Sequence, residues 1–349
     1  MKLRIGIIGC GGIATGKHLS ALKSNGDLCE VVAFCDGILD RAKKAAQEYG
    51  VENAQVCQNY KELLANPNVD VVYVLTPNIS HSPIAVDAFH AGKHVMCEKP
   101  MAINTAEAEK MMAAWKESGK KFSIGYQNRY RADVRHLHSA CQNGDLGEIY
   151  YAKAYAIRRR GVPTWGSFIQ GSQQGGGPLI DIGTHSLDLA LWLMDNYDVE
   201  SVTGTVFKKL GKLPQATDGN LWGAWDTSKY DVEDSAIGYI KMKNGALVVL
   251  ESSWALNILE AREAEVTLCG TKAGAELRNQ KEAGMDNISN LISATSGPAD
   301  YFEQNDKGVI EVGRRADLLM VKGNPVINIE DINNTEMVWL KGRAIEVIT

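Results

Sequence analysis

The chain opens on a strand that runs directly into a glycine loop, and that order of events constrains the fold more than any other feature. Leu3-Arg4-Ile5-Gly6-Ile7-Ile8 is apolar and β-rich, Gly9-Cys10-Gly11-Gly12-Ile13-Ala14 follows, and residues 14–25 read as a helix. Glycine is needed where a backbone turns sharply and must approach an anion with no Cβ in the way. The helix N-terminus behind it offers unpaired N–H groups and partial positive charge. The pattern therefore predicts a dinucleotide cradle in which Gly9, Gly11, Gly12 and Ile13 face the pyrophosphate.

The next strand, 30–35, ends at Asp36, 22 residues beyond Ala14. A carboxylate there accepts hydrogen bonds from ribose hydroxyls and repels a 2′-phosphate. Gly37 and Ile38 follow it, with no arginine, so the cofactor expected is NAD in preference to NADP. The alternative is that Asp36 serves only as a turn residue.

Strands and helices keep alternating: helix 38–49, strand 70–75, helix 80–91, strand 94–97, helix 105–118, strand 122–126. Strands apolar on both faces and separated by helices imply a parallel sheet covered on both sides. The texture changes near 126. Strand-like runs at 149–157, 201–207, 235–242, 246–253 and 264–269 surround one apolar helix at 180–194. The fold class expected is α/β: an N-terminal Rossmann domain (1–126) with a parallel sheet, then an α+β domain (127–287) with a large, open, mainly antiparallel sheet. Residues 288–349 stand apart as an atypical appendage.

Composition narrows the function. The 349 residues carry 37 basic and 42 acidic side chains, a net charge of −5, which argues against nucleic-acid binding by bulk positive charge. No apolar run is long enough to span a bilayer, and the first residues lack a signal-peptide pattern. Seven cysteines without a CxxC pair fit reduced thiols in a cytoplasm.

Two stretches carry candidate chemistry. Cys97-Glu98-Lys99-Pro100 ends a sheet strand, where open α/β sheets bind their ligands. In 180–194, Asp181, His185 and Asp188 lie at i, i+4 and i+7 on one helical face. A solvated lysine and a helix ion pair are the bland readings of the same residues. The i, i+4, i+7 set lacks further ligands, so no metal is expected.

Together with Thr76-Pro77-Asn78 and His81, these motifs resemble the Gfo/Idh/MocA oxidoreductases over about residues 1–280. The resemblance implies that Thr76, Pro77, Asn78, His81, Glu98, Lys99 and Gln127 serve the cofactor, and that the open sheet pairs copies into dimers or tetramers. Arg158-Arg159-Arg160-Gly161-Val162-Pro163-Thr164-Trp165-Gly166 and Glu251-Ser252-Ser253-Trp254-Ala255-Leu256-Asn257 look like the glucoside 3-dehydrogenase branch, which oxidises C3 of glucosides.

The chemistry expected is hydride transfer to NAD from a secondary alcohol of a sugar or glycoside. His185, which titrates near neutrality when unperturbed, is ranked as the base that takes the hydroxyl proton, and Lys99 as its polarising partner; the roles of the two could be exchanged. Asp181 would hold His185 or hydrogen-bond the sugar. Tyr126, Arg158, Arg159 and Trp165 are the other sugar candidates, with ordinary packing as the alternative for Trp165. Tyr126, Gln127, Asn128 and Arg129 are placed beside the nicotinamide, with a structural ion pair as the alternative for Arg129. Competing functions are an inositol or polyol dehydrogenase, an NAD-dependent redox glycosidase and an NAD-binding sensor.

The last residues break the pattern. Lys307-Gly308-Val309-Ile310-Glu311-Val312-Gly313-Arg314-Arg315-Ala316-Asp317-Leu318-Leu319-Met320-Val321 resembles the C-terminal strands of amidohydrolases, with strands expected at 309–312, 317–321 and 336–347. The one His-x-His ahead of it, His136-Leu137-His138, falls in a predicted helix, and no histidine follows 185, so hydrolase chemistry is not expected.

Overall fold

The structure is a computed structural model that describes residues 2–217 and 225–280, and beyond them the strands Ile288–Ala294, Leu318–Val321, Thr335–Leu340 and Arg343–Ile345. Six parallel strands form the first sheet: β1 (Leu3–Ile8), β2 (Cys29–Cys35), β3 (Gln55–Cys57), β4 (Val71–Val74), β5 (His94–Cys97) and β6 (Phe122–Ile124). Their spatial order is β3-β2-β1-β4-β5-β6, the doubly wound arrangement whose binding crevice lies where the order reverses, between β1 and β4.

Helices cover both faces. After β1 the chain makes a π turn (Ala14–His18) that continues into α1 (Leu19–Ser24); α2 is Leu39–Tyr49 and α3 is Tyr60–Leu64. Then come α4 (His81–His90) and α5 (Thr105–Ser118). The boundaries have local causes. The Asn59 side chain accepts the Lys61 N–H to start α3, and Asn104 accepts the Glu107 N–H to start α5. Gly119, left-handed at φ 64°, ends α5. One core layer packs Val72, Val74 and Val95 against Phe89 and Met111, and the other packs Ile7 and Phe34 against Leu19 and Ala42.

The second sheet is built from β7 (Ile149–Ile157), β8 (Val199–Phe207), β9 (Ser235–Met242), β10 (Leu247–Ser253), β11 (Arg262–Gly270), β12 (Gly274–Gln280) and β13 (Ile288–Ala294). Its order is β13-β12-β11-β7-β10-β9-β8, and only β7 and β10 run parallel. One face is covered by α6 (Ala132–Gln142) and by α8 (Thr184–Met194), through Leu137, Leu189 and Leu193 on Val248 and Leu268. The short helix α7 (Gly171–Gln174) precedes a second π turn (Leu179–Gly183) that feeds α8. β13 begins where an appendage was expected, yet it pairs along its length with β12 as the edge of this sheet. The strands β14 (Leu318–Val321), β15 (Thr335–Leu340) and β16 (Arg343–Ile345) form a separate antiparallel sheet. The strand expected at 309–312 lies outside the described residues.

Gly9 shows why the opening loop needs glycine. Its φ is +97°, and a Cβ there would lie 2.6 Å from the Leu75 carbonyl oxygen. At Gly12 a Cβ would meet nothing within 4 Å, so that position faces open space. Gly9→Ala should therefore lower the urea-unfolding free energy by about 3 kcal/mol, combining left-handed strain with overpacking. Gly12→Ala should leave stability unchanged or slightly raised and weaken dinucleotide binding by about tenfold or more, because only a ligand needs that space. Equal effects of both substitutions on unfolding would contradict this division.

Candidate active site

A cavity of about 1280 Å³ runs along the carboxyl ends of the first sheet. Gly9–Ile13, Asp36, Thr76-Pro77-Asn78, Glu98 and Lys99 line it, and the loop carrying Trp165 and Phe168 forms part of its wall. The glycine loop, the helix N-terminus behind it and the acid at the end of β2 thus face one space, as a dinucleotide requires. The Asp36 carboxylate accepts the Cys10 N–H at 2.8 Å and the Ile38 N–H at 2.7 Å, so it also fixes the glycine loop relative to β2. It is a turn residue and a cavity residue at once.

Two predicted cofactor residues act from behind the surface. His81 is completely buried; Nδ1 lies 2.7 Å from the Pro100 carbonyl oxygen and Nε2 2.9 Å from that of Thr76. It ties the loops after β4 and β5 together from behind the cavity lining. Burial holds its pKa down, against the two carbonyls. Glu98 lies 2.8 Å from His18 Nε2 and accepts the Lys99 backbone N–H at 2.9 Å. Burial raises the Glu98 pKa, but His18 and Lys99 outweigh it and keep the carboxyl below its usual range.

Lys99 reaches across to the second sheet. Its Nζ donates to the Asp181 carbonyl at 2.8 Å and to Asp181 Oδ1 at 3.0 Å. The second carboxylate oxygen, Oδ2, accepts the Trp254 Nε1–H at 2.9 Å. Asp181 sits in the π turn, which rests on β10 through a hydrogen bond from Ser252 Oγ to the Pro178 carbonyl. Burial pushes the Asp181 pKa up; the Lys99 ammonium, the Arg158 guanidinium and the two donors overcome this and hold it ionised. Asp181 therefore holds Lys99, and no hydrogen bond joins it to His185 among the described residues.

His185 lies one helical turn on. Burial, and then the Lys99 charge, lower its pKa to about 4, so the ring is neutral near pH 7. Its Nδ1 is buried and has no hydrogen-bond partner among the described residues. Asp188, grouped with these two by spacing, instead binds Arg129, whose guanidinium also lies over the Tyr126 and Trp192 rings at 5.6 Å from each. Arg129 thus makes an ion pair with Asp188. The Tyr126 hydroxyl meets Thr184 Oγ1 at 3.0 Å, and Gln127 is exposed and outside the cavity lining.

Of the sugar candidates, Trp165 is exposed at the cavity wall, tilted against Phe168 at 4.6 Å between ring centroids. Arg159 is exposed, and Arg158 makes a two-pronged ion pair with Glu263 at 2.8 and 2.6 Å. Sequence reasoning missed His18, Trp254 and Glu263. Trp254 lay within a quoted motif, but nothing in its spacing pointed to Asp181.

Residues 3–126 match the oxidoreductase family with an NAD-binding Rossmann fold, and residues 134–276 match the GFO/IDH/MocA C-terminal domain. D-glucoside 3-dehydrogenase of Escherichia coli (strain K12) is 42% identical over 275 residues, covering 79% of this chain and 77% of that protein. The chain belongs to the Gfo/Idh/MocA family. Myo-inositol 2-dehydrogenase of Thermotoga maritima is 30% identical, over 72% of this chain and 68% of that protein. The WlbA dehydrogenase of Bordetella pertussis, solved with NADH and UDP-GlcNAcA, shares the fold at a TM-score of 0.67 and 24% identity, over 79% and 78% of the two chains. This Gfo/Idh/MocA chain also matches the amidohydrolase family over 244–345, a stretch that begins well before the expected appendage. No helix among its described residues is long and apolar enough to cross a membrane.

The His185 environment sets a pH dependence. With a folded pKa near 4 and an unfolded one near 6.5, only the unfolded chain gains this proton between those values. Stability is therefore complete above about pH 6.5 and falls as pH drops toward 4. Between pH 7.5 and 5 the wild type should lose about 2 kcal/mol more than His185→Gln. Urea titrations at the two pH values check this, and parallel losses in both proteins would refute it.

Proposed function

We propose that this oxidoreductase is an NAD-dependent sugar dehydrogenase that moves a hydride between NAD and a ring carbon bearing a secondary hydroxyl, C3 of a glucoside. The observation that carries the reading is the Lys99–Asp181 pair, which holds an ammonium at the cofactor cavity, near enough to a neutral His185 to help lower its pKa. The residues fit the cofactor: the loop at Gly11 and Gly12 is open, and an acid stands at the ribose position. Asp36 supports NAD over NADP. The identity to D-glucoside 3-dehydrogenase supports a glucoside over an inositol.

When bound, NAD supplies the hydride acceptor. The chain's own residues do the rest. The Lys99 ammonium donates to the reacting oxygen and stabilises the charge that grows on it as its proton leaves. Asp181 and Trp254 hold that ammonium in place. Neutral His185 has a lone pair to take the hydroxyl proton. Trp165 offers an aromatic face to the C–H patches of a pyranose. His81 and Glu98 keep the loops that carry Asn78 and Lys99 in register. The exposed strand β8, with Val202 and Val206, supports pairing of copies through the second sheet. Seven free thiols support a reducing, cytoplasmic location. We divide the chain at about 126 and after β13, which replaces the boundary expected at 287, with the small β14–β16 sheet as a structural appendage.

Lys99→Met and His185→Gln should each lower turnover of a methyl glucoside by about 10²- to 10⁴-fold and change NAD affinity by less than about twofold. Calorimetry should show NAD binding at least about tenfold more tightly than NADP. NMR should place the ketone at C3, with one NADH formed per ketone. Near-wild-type turnover in both variants would refute the catalytic assignment. Released aglycone without net NADH would favour the redox glycosidase.

A further inference from the structure

β11 carries an irregularity at the point where it passes the site. Arg262 faces Ile157 and Glu263 faces Ala156, but Glu265 faces Tyr155, so Ala264 is an extra residue in the ladder. Ala264 has φ +56°, left-handed and unusual for a residue with a Cβ. Side chains alternate across a sheet, so in a regular strand Glu263 and Glu265 would share a face. The bulge separates them. Glu265 joins Arg262, at 2.7 Å, on the face of Tyr155, whose ring lies 3.8 Å from the Arg262 guanidinium. Glu263 moves to the opposite face, that of Ala156 and Arg158, which is the face on which the π turn and α8 carry Asp181 and His185.

Strain retained in a buried strand marks a position that something other than stability maintains. What the bulge delivers is a carboxylate on the active face. Glu263 Oε1 and Oε2 take the Arg158 guanidinium at 2.6 and 2.8 Å, and both side chains remain about a quarter exposed. Arg158 lies near enough to Asp181, and Glu263 near enough to His185, to shift the charge balance of each. A carboxylate that accepts only and a guanidinium that donates only, held edge to edge, match two neighbouring hydroxyl groups. One hydroxyl donates to Glu263, and the next accepts from Arg158.

We propose that Glu263, placed by the Ala264 bulge and paired with Arg158, is a specificity-determining residue that selects polyhydroxylated rings by binding a hydroxyl adjacent to the reacting carbon. The inference rests on the dehydrogenase reading above and names its recognition device.

The test is a cycle between protein and substrate. Wild type, Glu263→Gln and Arg158→Lys are assayed with methyl glucoside and with its 2-deoxy and 4-deoxy analogues, alongside NAD affinity by fluorescence. In wild type, one of the two analogues should lose about 30-fold or more in kcat/KM relative to the parent. Glu263→Gln should raise KM for the parent by about tenfold or more, leave NAD affinity unchanged, and shrink that particular deoxy penalty to a few-fold. Arg158→Lys, which keeps the charge but loses the fork, should shrink it as well. If the deoxy penalties are the same in all three proteins, Glu263 does not bind a hydroxyl and the inference is overturned. If wild type turns over no glucoside, the dehydrogenase reading fails separately. Calorimetry of methyl glucoside and myo-inositol on the NADH-loaded protein then decides the inference: binding by wild type that is lost in Glu263→Gln upholds it, and binding that is absent or unchanged overturns it.

Discussion

The contact on which the site depends is the reach of Lys99 across to Asp181. One partner follows the last residue of β5 in the nucleotide-binding sheet, and the other sits in a π turn lying on the second sheet. Both are largely withdrawn from solvent, with side-chain exposures of 17% and 11%. Burying such a pair gives little net stability, because desolvation offsets most of the attraction. Its value is positional. The ammonium has two acceptors on Asp181, and the far carboxylate oxygen is capped by Trp254. The ammonium that lines the cavity is thus aimed from the second sheet while its backbone is anchored in the first.

The same economy of position holds behind it. Glu98 accepts the N–H of Lys99 and contacts His18, one turn past the glycine loop. His81 spans the carbonyls of Thr76 and Pro100, and Asp36 fastens the glycine loop to the end of β2. On the far side, Asn78 donates to the Gln174 carbonyl, and Gly175, at φ +84°, leaves no room for a Cβ against the Ile103 carbonyl. The loops after β1, β4 and β5 are each held by a side chain from outside the loop. A surface assembled in this way needs little reorganisation to receive a ligand.

Much of this was legible in the sequence because it follows from short-range rules. Glycine where φ must be positive, apolar runs bounded by helices, and an acid at the end of β2 specify the nucleotide-binding half nearly residue by residue. Lys99, Asp181 and His185 were legible as candidates, but the partner read for Asp181 was His185, not Lys99. Helical spacing joined Asp181 to His185 and Asp188, whereas the contacts join Asp181 to Lys99 and Trp254, and Asp188 to Arg129. Spacing along a helix says which side chains share a face; it does not say what faces them. β3 escaped notice because three residues carry no periodicity. Glu263 was illegible for a deeper reason. In Arg262-Glu263-Ala264-Glu265 the alternation is regular on paper, and only a backbone turned left-handed at alanine sends the two acids to opposite faces.

In the mechanism we propose, the charges explain how a weak base would serve. In the resting site His185 is disfavoured as an imidazolium by burial and by the Lys99 ammonium. Both effects hold while the substrate oxygen is a neutral hydroxyl. In that proposal, as the hydroxyl proton departs, negative charge grows between the Lys99 ammonium and the imidazole. The Lys99 charge that had opposed protonation of His185 is then neutralised by the oxygen it contacts, and the imidazolium gains an anion beside it. The histidine's basicity is thus lowest before reaction and rises along it, so its interaction with the reacting oxygen is stronger in the transition state than in the ground state. In the reverse direction, the same coupling delivers the proton back as the hydride arrives. In this proposal, the hold of Asp181 on Lys99 would make the exchange possible, since a mobile ammonium would move away from the imidazolium and leave the oxygen unsupported.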